Sequence, residues 1–378
     1  MPHQMQSPPG ATVAIDGREY LYFAGTGYLG LHGHPDVIEA ACAAARTYGL
    51  GCATSRTAFG NQPPTLDVER QAADWLGAKQ ALYLPSGYLS SQALLGTVGS
   101  QYDVIYIDEL AHYSLRDAVR MANRRVHAFA HRDPDQLAEQ LAASIKPVRR
   151  VLVVSDGVFP VLGTVAPVGE YMDVLVRYPG SAIFLDDAHA IGVLGANGRG
   201  TWEWAGHPPS HVNVAGVSHV KIALYACATL SKACGGYGGI VAGKGSLIER
   251  LQSGKTCYGG ATPLPAPVAA ATAKAIEIVA TQPELRERLH ANARRLRGGL
   301  RSLGFDVDDA PTPIVCLQLG DARQMQNLQQ ELMRAGIVIA YFASYSGVGP
   351  AGALRIAVFA THTSEMIDRL VEQMGRLA

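Results

Sequence analysis

Short apolar runs of strand length recur along the chain, at 81–84 (ALYL), 104–107 (VIYI), 151–154 (VLVV), 182–185 (AIFL), 223–229 (ALYACAT) and 238–243 (GGIVAG). None alternates apolar with polar positions, which marks strands covered on both faces. Helix-length stretches separate them, so the pattern predicts a mainly parallel sheet sandwiched by helices. Two of those helices, over 36–49 and 64–77, run into a glycine stop. Beyond 259–271 (GGATPLPAPVAAA) the character changes. A helix is predicted from about Val268 that carries on through 284–304, with Leu285, Leu289, Leu296, Leu300 and Leu303 as one apolar stripe. Its arginines read as a solvated face. Strand-like runs follow at 312–319, 336–342 and 353–359, with helices near 322–335 and 363–377. The expected organisation is a short loose N-terminal arm (1–30), a large α/β domain (31–270) and a smaller C-terminal α+β domain (271–378).

The polar clusters fall in register with the strands. PSGY (85–88) follows the first run, DELAHYS (108–114) the second, SDGVFP (155–160) the third, DDAH (186–189) the fourth and LSK (230–232) the fifth. Ligands of open parallel sheets bind beyond the carboxyl ends of the strands. All five clusters are therefore expected to converge on one edge.

Their chemistry points one way. Lys232 sits among Ser231, Ala233, Cys234 and Gly235, 43 positions after His189 (232 − 189). An ammonium among such small residues has little room to reach water and is costly to keep charged, a cost that a Schiff base removes. Pyridoxal phosphate needs such an amine for its aldehyde and a carboxylate to keep its ring nitrogen protonated. Asp186 ends an apolar strand and suits the second task, leaving Asp187 to cap a following helix. His189 suits a hydrogen bond to the phenolic oxygen, and His112 can stack on a flat ring. The PSGY turn offers backbone N–H groups at a helix start, a ready anion site, and Thr229 and Ser231 add hydroxyls suited to phosphate oxygens. Arg355, inside an apolar strand, reads as a clamp for a substrate carboxylate or as a salt bridge between domains.

Composition narrows the field. With 378 residues, 48% of them hydrophobic, the chain can bury a large core. Lys+Arg and Asp+Glu both total 32, so no basic excess exists to neutralise a nucleic-acid backbone. The opening MPHQMQSPPG lacks a secretory pattern, and no stretch approaches the ~18 apolar residues that span a bilayer. Cys42, Cys52, Cys227, Cys234, Cys257 and Cys316 are scattered without a C-x-x-C pair, so neither a disulfide framework nor a metal site is expected. The cytoplasm is the expected compartment.

The motifs at 27–41 (GYLGLHGHPDVIEAA), 84–88 (LPSGY), 107–114 (IDELAHYS), 156–168 (DGVFPVLGTVAPV), 185–200 (LDDAHAIGVLGANGRG), 229–239 (TLSKACGGYGG), 262–271 (TPLPAPVAAA) and 352–363 (GALRIAVFATHT) resemble those of the α-oxoamine synthases. These are pyridoxal 5'-phosphate (PLP) enzymes of the fold-type I transferases, with a mainly parallel seven-stranded sheet. The resemblance implies that Lys232 holds the cofactor as a Schiff base and moves protons. It makes Asp186 the ring-nitrogen partner, His189 the donor to the phenolic oxygen and His112 the stacking ring. Ser86, Gly87, Tyr88, Thr229 and Ser231 hold the phosphate, Arg355 takes the amino-acid carboxylate, and Thr262 reaches the phosphate of a neighbouring subunit. It therefore implies a homodimer with shared sites. The implied reaction condenses an amino acid with an acyl-CoA, or another acyl thioester, with loss of CO2. The same cofactor chemistry without CoA (transamination, racemisation, aldol cleavage or decarboxylation) and a non-catalytic module are the alternatives. The chain departs from the family pattern at Thr26 and Gly27, where polar substrate contacts are expected. Thr65 stands in place of histidine, Asp156 of glutamate, Pro160 of serine and Leu162 of aspartate.

Overall fold

Each of the six apolar runs forms a strand in the structure, a computed structural model that describes residues 3–144, 150–207, 215–217, 220–254 and 258–377. In chain order the strands are β1 (Thr12–Ile15), β2 (Arg18–Tyr22), β3 (Gln80–Leu84), β4 (Val104–Asp108), β5 (Arg125–Phe129), β6 (Val151–Asp156) and β7 (Ala182–Asp186). They continue with β8 (Ala215–Val217), β9 (Val220–Thr229), β10 (Gly239–Gly243), β11 (Ile314–Leu317), β12 (Ile337–Val338), β13 (Ala340–Phe342) and β14 (Ala353–Ala357). The central sheet has the order β3-β10-β9-β7-β6-β4-β5, with β8 paired to β9. Only β10 in that order runs against its neighbours; the pairings among β9, β7, β6, β4 and β5 are parallel. Both faces are buried. Tyr106, Val153 and Ile183 face one helical layer, while Ile105, Val154 and Phe184 face the other, which is why these strands carry no polar alternation.

The C-terminal part forms the smaller antiparallel sheet β11-β14-β13. The first residues are not a loose arm throughout. Asp16 (φ 49°) and Gly17 (φ 79°) turn β1 back onto β2, and β2 pairs in parallel with β12. A left-handed Asp-Gly pair is the favoured two-residue hairpin turn.

Three expectations need correction. The long helix is two, Ala266–Thr281 and Pro283–Ser302. Pro283 lacks an N–H and holds Gln282 out of the helical region (φ −118°, ψ 74°), so the first helix stops and the second starts. Leu303 lies past the end and is exposed, unlike Leu285, Leu289, Leu296 and Leu300. Not all the arginines are solvated: Arg286 and Arg297 are buried. Arg297 donates to the carbonyls of Thr312 and Ile314 and Arg286 to that of Ala196, so these guanidiniums stitch the helix to loops. The five cysteines among the described residues are free, and Cys257 lies outside them.

Candidate active site

Because β3, β4, β6, β7 and β9 point the same way, their carboxyl ends share one edge, and antiparallel β10 begins there. That edge holds a cleft of about 270 Å³ lined by Gly87, Tyr88, His112, Asp186, His189, Thr229 and Lys232. Seven residues singled out in the sequence thus meet. Ser231 joins through a 2.7 Å hydrogen bond with Thr229. Asp156, Ser114 and Ala188 complete the lining. The sequence signal for Asp156 and Ser114 was their place in the strand-end clusters.

Lys232 is half-buried, and its Nζ lies 2.8 Å from Nε2 of His189. Burial pushes its amine down to about 8; Asp186 and Asp156 pull the other way and Arg355 adds to the fall. Such an amine is partly neutral near pH 7, hence nucleophilic. Burial, Lys232 and Arg355 hold His189 well below the ordinary histidine range, so its imidazole is neutral.

Asp186 and Asp156 are neighbours on paired strands. Asp186 accepts from Ala188 N at 3.0 Å and from the Ser114 hydroxyl at 3.5 Å. Burial raises both carboxyls; the Asp186 charge raises Asp156 further, while Lys232 lowers both. Among the described residues neither carboxylate has a Lys or Arg nitrogen within 4 Å. A buried acid of this kind awaits a cation. Asp187 faces away and accepts from Thr201 N at 3.0 Å, at the start of a short helix.

Opposite these acids the helix Gly87–Val98 opens toward the cleft, with Ser86 as its cap. A Cβ at Gly87 would stand 2.7 Å from Cβ of Thr229. Glycine therefore lets the helix start, with its N–H donors for an anion, close onto Thr229, whose own hydroxyl donates to Gly238 O at 2.9 Å. His112 caps its own helix, Tyr113–Met121, with Nδ1 accepting from Ser114 N. Burial and Lys232 push it down to about 4, leaving a neutral ring at the cleft wall. An amine, a buried acid lacking a cation, a neutral ring and an anion cradle are the donor set that PLP requires, and the residues fit it.

Three expected residues lie outside that lining. Arg355, on β14, is buried outside the cleft lining. Its Nε donates to Pro160 O (2.7 Å), Nη1 to Gly25 O (3.1 Å) and Ala24 O (3.4 Å), and Nη2 to the Tyr28 hydroxyl (2.9 Å). Four of its five N–H donors are engaged, with carbonyls and a phenol rather than a carboxylate. Thr262 is exposed on a separate groove beside Pro85, Tyr237 and Leu264. Thr26 is half-buried in the loop whose flanking residue, Gly25, contacts Arg355. Sequence reading missed Tyr28. It is fully buried, with its hydroxyl 2.7 Å from Nδ1 of His189, across a separation of 161 residues that no local pattern signals.

Comparison with known proteins fits this geometry. The family model for class I and II aminotransferases matches residues 20–374. The 8-amino-7-oxononanoate synthase of Methylococcus capsulatus is 34% identical over 98% of this chain and 92% of its own length. That of Symbiobacterium thermophilum is 32% identical over 99% and 92%. Among solved structures, SPT with PLP as internal aldimine superposes with a TM-score of 0.90 at 26% identity, covering 100% of this chain and 92% of that one. Sphingomonas wittichii serine palmitoyltransferase gives 0.88 at 26% identity, covering 99% and 91%.

Proposed function

Because the chain belongs to the α-oxoamine synthase branch of the class I and II aminotransferase family, we propose that it is a PLP-dependent C-acyltransferase. It condenses a small amino acid with an acyl-CoA and releases CO2 and CoA. The observation that carries this reading is the 2.8 Å contact of Lys232 with His189 at the strand edge that also holds Asp186. When bound, the cofactor supplies an aldehyde that amines capture covalently and a cationic ring that draws electrons from the captured amino acid's Cα.

The protein does the rest. The start of the helix Gly87–Val98, with Thr229 and Ser231, binds the phosphate. Asp186 would supply the carboxylate for the ring nitrogen, His112 would pack on the ring, and His189 would donate to the phenolic oxygen. Lys232 Nζ would hold the cofactor through its aldehyde and, as a free amine, would take and return the proton at the substrate's Cα. An amine pushed down to about 8 suits that exchange near neutral pH. Arg355 binds the substrate carboxylate through its remaining Nη2 donor, or by releasing a carbonyl. Thr26 lies on the substrate side of the same loop.

In this reading the arm (1–30) and the small unit (271–378) close over the large unit (31–270). The working form is a homodimer in which Thr262 completes the partner's phosphate site. Leu50 and Phe59, 79% and 93% exposed, and the groove around Thr262 supply apolar surface for that contact. No described helix is long and apolar enough to cross a membrane, and the enzyme works in the cytosol.

Free thiol release, measured over a panel of amino acids and acyl-CoAs, tests the reaction. Release that requires both substrates, with one CO2 per thiol, is expected. Exchange of the Cα proton with solvent but no thiol release would replace this reading by the CoA-free chemistry.

A further inference from the structure

A buried chain of polar atoms crosses the molecule from the small unit to the catalytic amine. Arg355 Nη2 lies 2.9 Å from the Tyr28 hydroxyl, that hydroxyl 2.7 Å from His189 Nδ1, and His189 Nε2 2.8 Å from Lys232 Nζ. The three links join β14, the loop after β2, the end of β7 and the loop after β9.

The direction of each bond follows from donor counting. A guanidinium only donates, so the Tyr28 oxygen accepts from Arg355. Tyr28 is fully buried, and its hydroxyl has no further partner among the described residues. Its single proton must then go to His189 Nδ1, since leaving it unpaired costs about 1–3 kcal/mol. With Nδ1 accepting, the neutral imidazole carries its proton on Nε2. That proton points at Lys232 Nζ, which can accept it only as a free amine.

We propose that Tyr28 is a positioning residue that passes the donor sense of Arg355 to His189, fixes its Nε2–H tautomer and presents Lys232 as the free amine. A carboxylate drawing Arg355 Nη2 away would release the Tyr28 oxygen, so the relay also links the substrate clamp to the amine. The role of Lys232 as working amine rests on the acyltransferase reading; the relay itself does not. Lys232 is also faced by Asp186 from β7, Asp156 from β6, His112 after β4 and Arg355 from β14. A change in Tyr28 alters none of these charges.

The test uses the full chain without added cofactor, labelled with 15N at histidine, with the His189 signal assigned by its loss in His189→Gln. The expected spectrum shows His189 unprotonated at Nδ1 and protonated at Nε2. In Tyr28→Phe that tautomer loses its lock and the Nδ1–H form appears. Nε2 then accepts from a lysine ammonium. The pH profile of Lys232 modification by an amine-reactive nitroarene, read by peptide mapping, is expected to move up by about one unit, roughly tenfold slower at pH 7. A wild-type His189 protonated at Nδ1 overturns the proposal without any Tyr28 variant. So does a Tyr28→Phe protein with unchanged tautomer and modification profile. Absent thiol release with the relay signals intact would defeat the acyltransferase reading alone.

Discussion

At the floor of the cleft, Lys232, His189 and Asp186 stand at or just past the ends of strands buried on both faces, whereas at the rim Thr26 and Pro160 belong to loops and Arg355 to the antiparallel sheet β11-β14-β13. The floor keeps the lysine, acid and histidine that the cofactor needs, with Asp156 as its departure, and only His189, through Tyr28, bonds to a residue outside the strand-end clusters. At the rim lie several departures from the family pattern. Pro160 spends its carbonyl on Arg355, and Leu162 packs where a Cβ at Gly347 would meet its Cδ1 at 2.8 Å. An apolar side chain at position 162 replaces a charge there. The contrast teaches that this sheet edge keeps the amine, acid and histidine that PLP chemistry asks for, while the departures at Thr26, Pro160 and Leu162 fall in the loops around it.

Breaking the floor is expected to cost most. Asp186→Asn keeps the shape and one of the two acceptor oxygens, but removes the charge opposite the ring nitrogen. A loss of about a hundredfold or more in kcat is expected, with PLP still bound; steady-state kinetics and the cofactor absorbance check it. At the rim, Arg355→Lys retains charge and loses the planar fork. Its expected effect is a rise of about 10- to 100-fold in amino-acid KM, with kcat changed by less than about threefold. Equal losses in both parameters would move Arg355 from the substrate side to the floor.

The floor also has a pH signature. Neutral Lys232 is the form that captures the aldehyde, and its amine is pushed down to about 8. The rate of PLP capture should therefore climb about tenfold per unit as pH rises toward 8 and level off above it. The smallest effect is expected where floor and anion cradle meet. Gly87→Ala forces a Cβ to within 2.7 Å of Thr229, so the helix start must back away. A weakening of PLP binding of about tenfold, with kcat at saturation nearly unchanged, is expected and can be read by equilibrium dialysis.

Much of the fold was legible because burial on both faces writes itself as unbroken apolar runs: Val104–Asp108 and Ala182–Asp186 are buried at every position. Strand Arg125–Phe129 escaped notice because it lies at the sheet edge, with Arg125, Val126 and Ala128 exposed. The hairpin Thr12–Tyr22 did carry a signal, Asp16-Gly17 between strand-like segments. The placement of Lys232, Asp186, His189 and Thr229 around one cleft followed from strand-end position. The side-chain partners of Arg355 and Tyr28 did not, because they join β14, the loop after β2 and the end of β7, segments far apart in the sequence. Burial of Arg286 and Arg297 was equally hidden, since helical periodicity does not reveal which carbonyls a neighbouring loop leaves unpaired.

Borohydride reduction of the PLP-loaded protein, followed by peptide mapping, tests the central claim most directly. The account predicts one pyridoxyl group, on Lys232, lost in Lys232→Ala while the circular dichroism of the fold persists. A stable label on any other lysine, or undiminished attachment in Lys232→Ala, would contradict it.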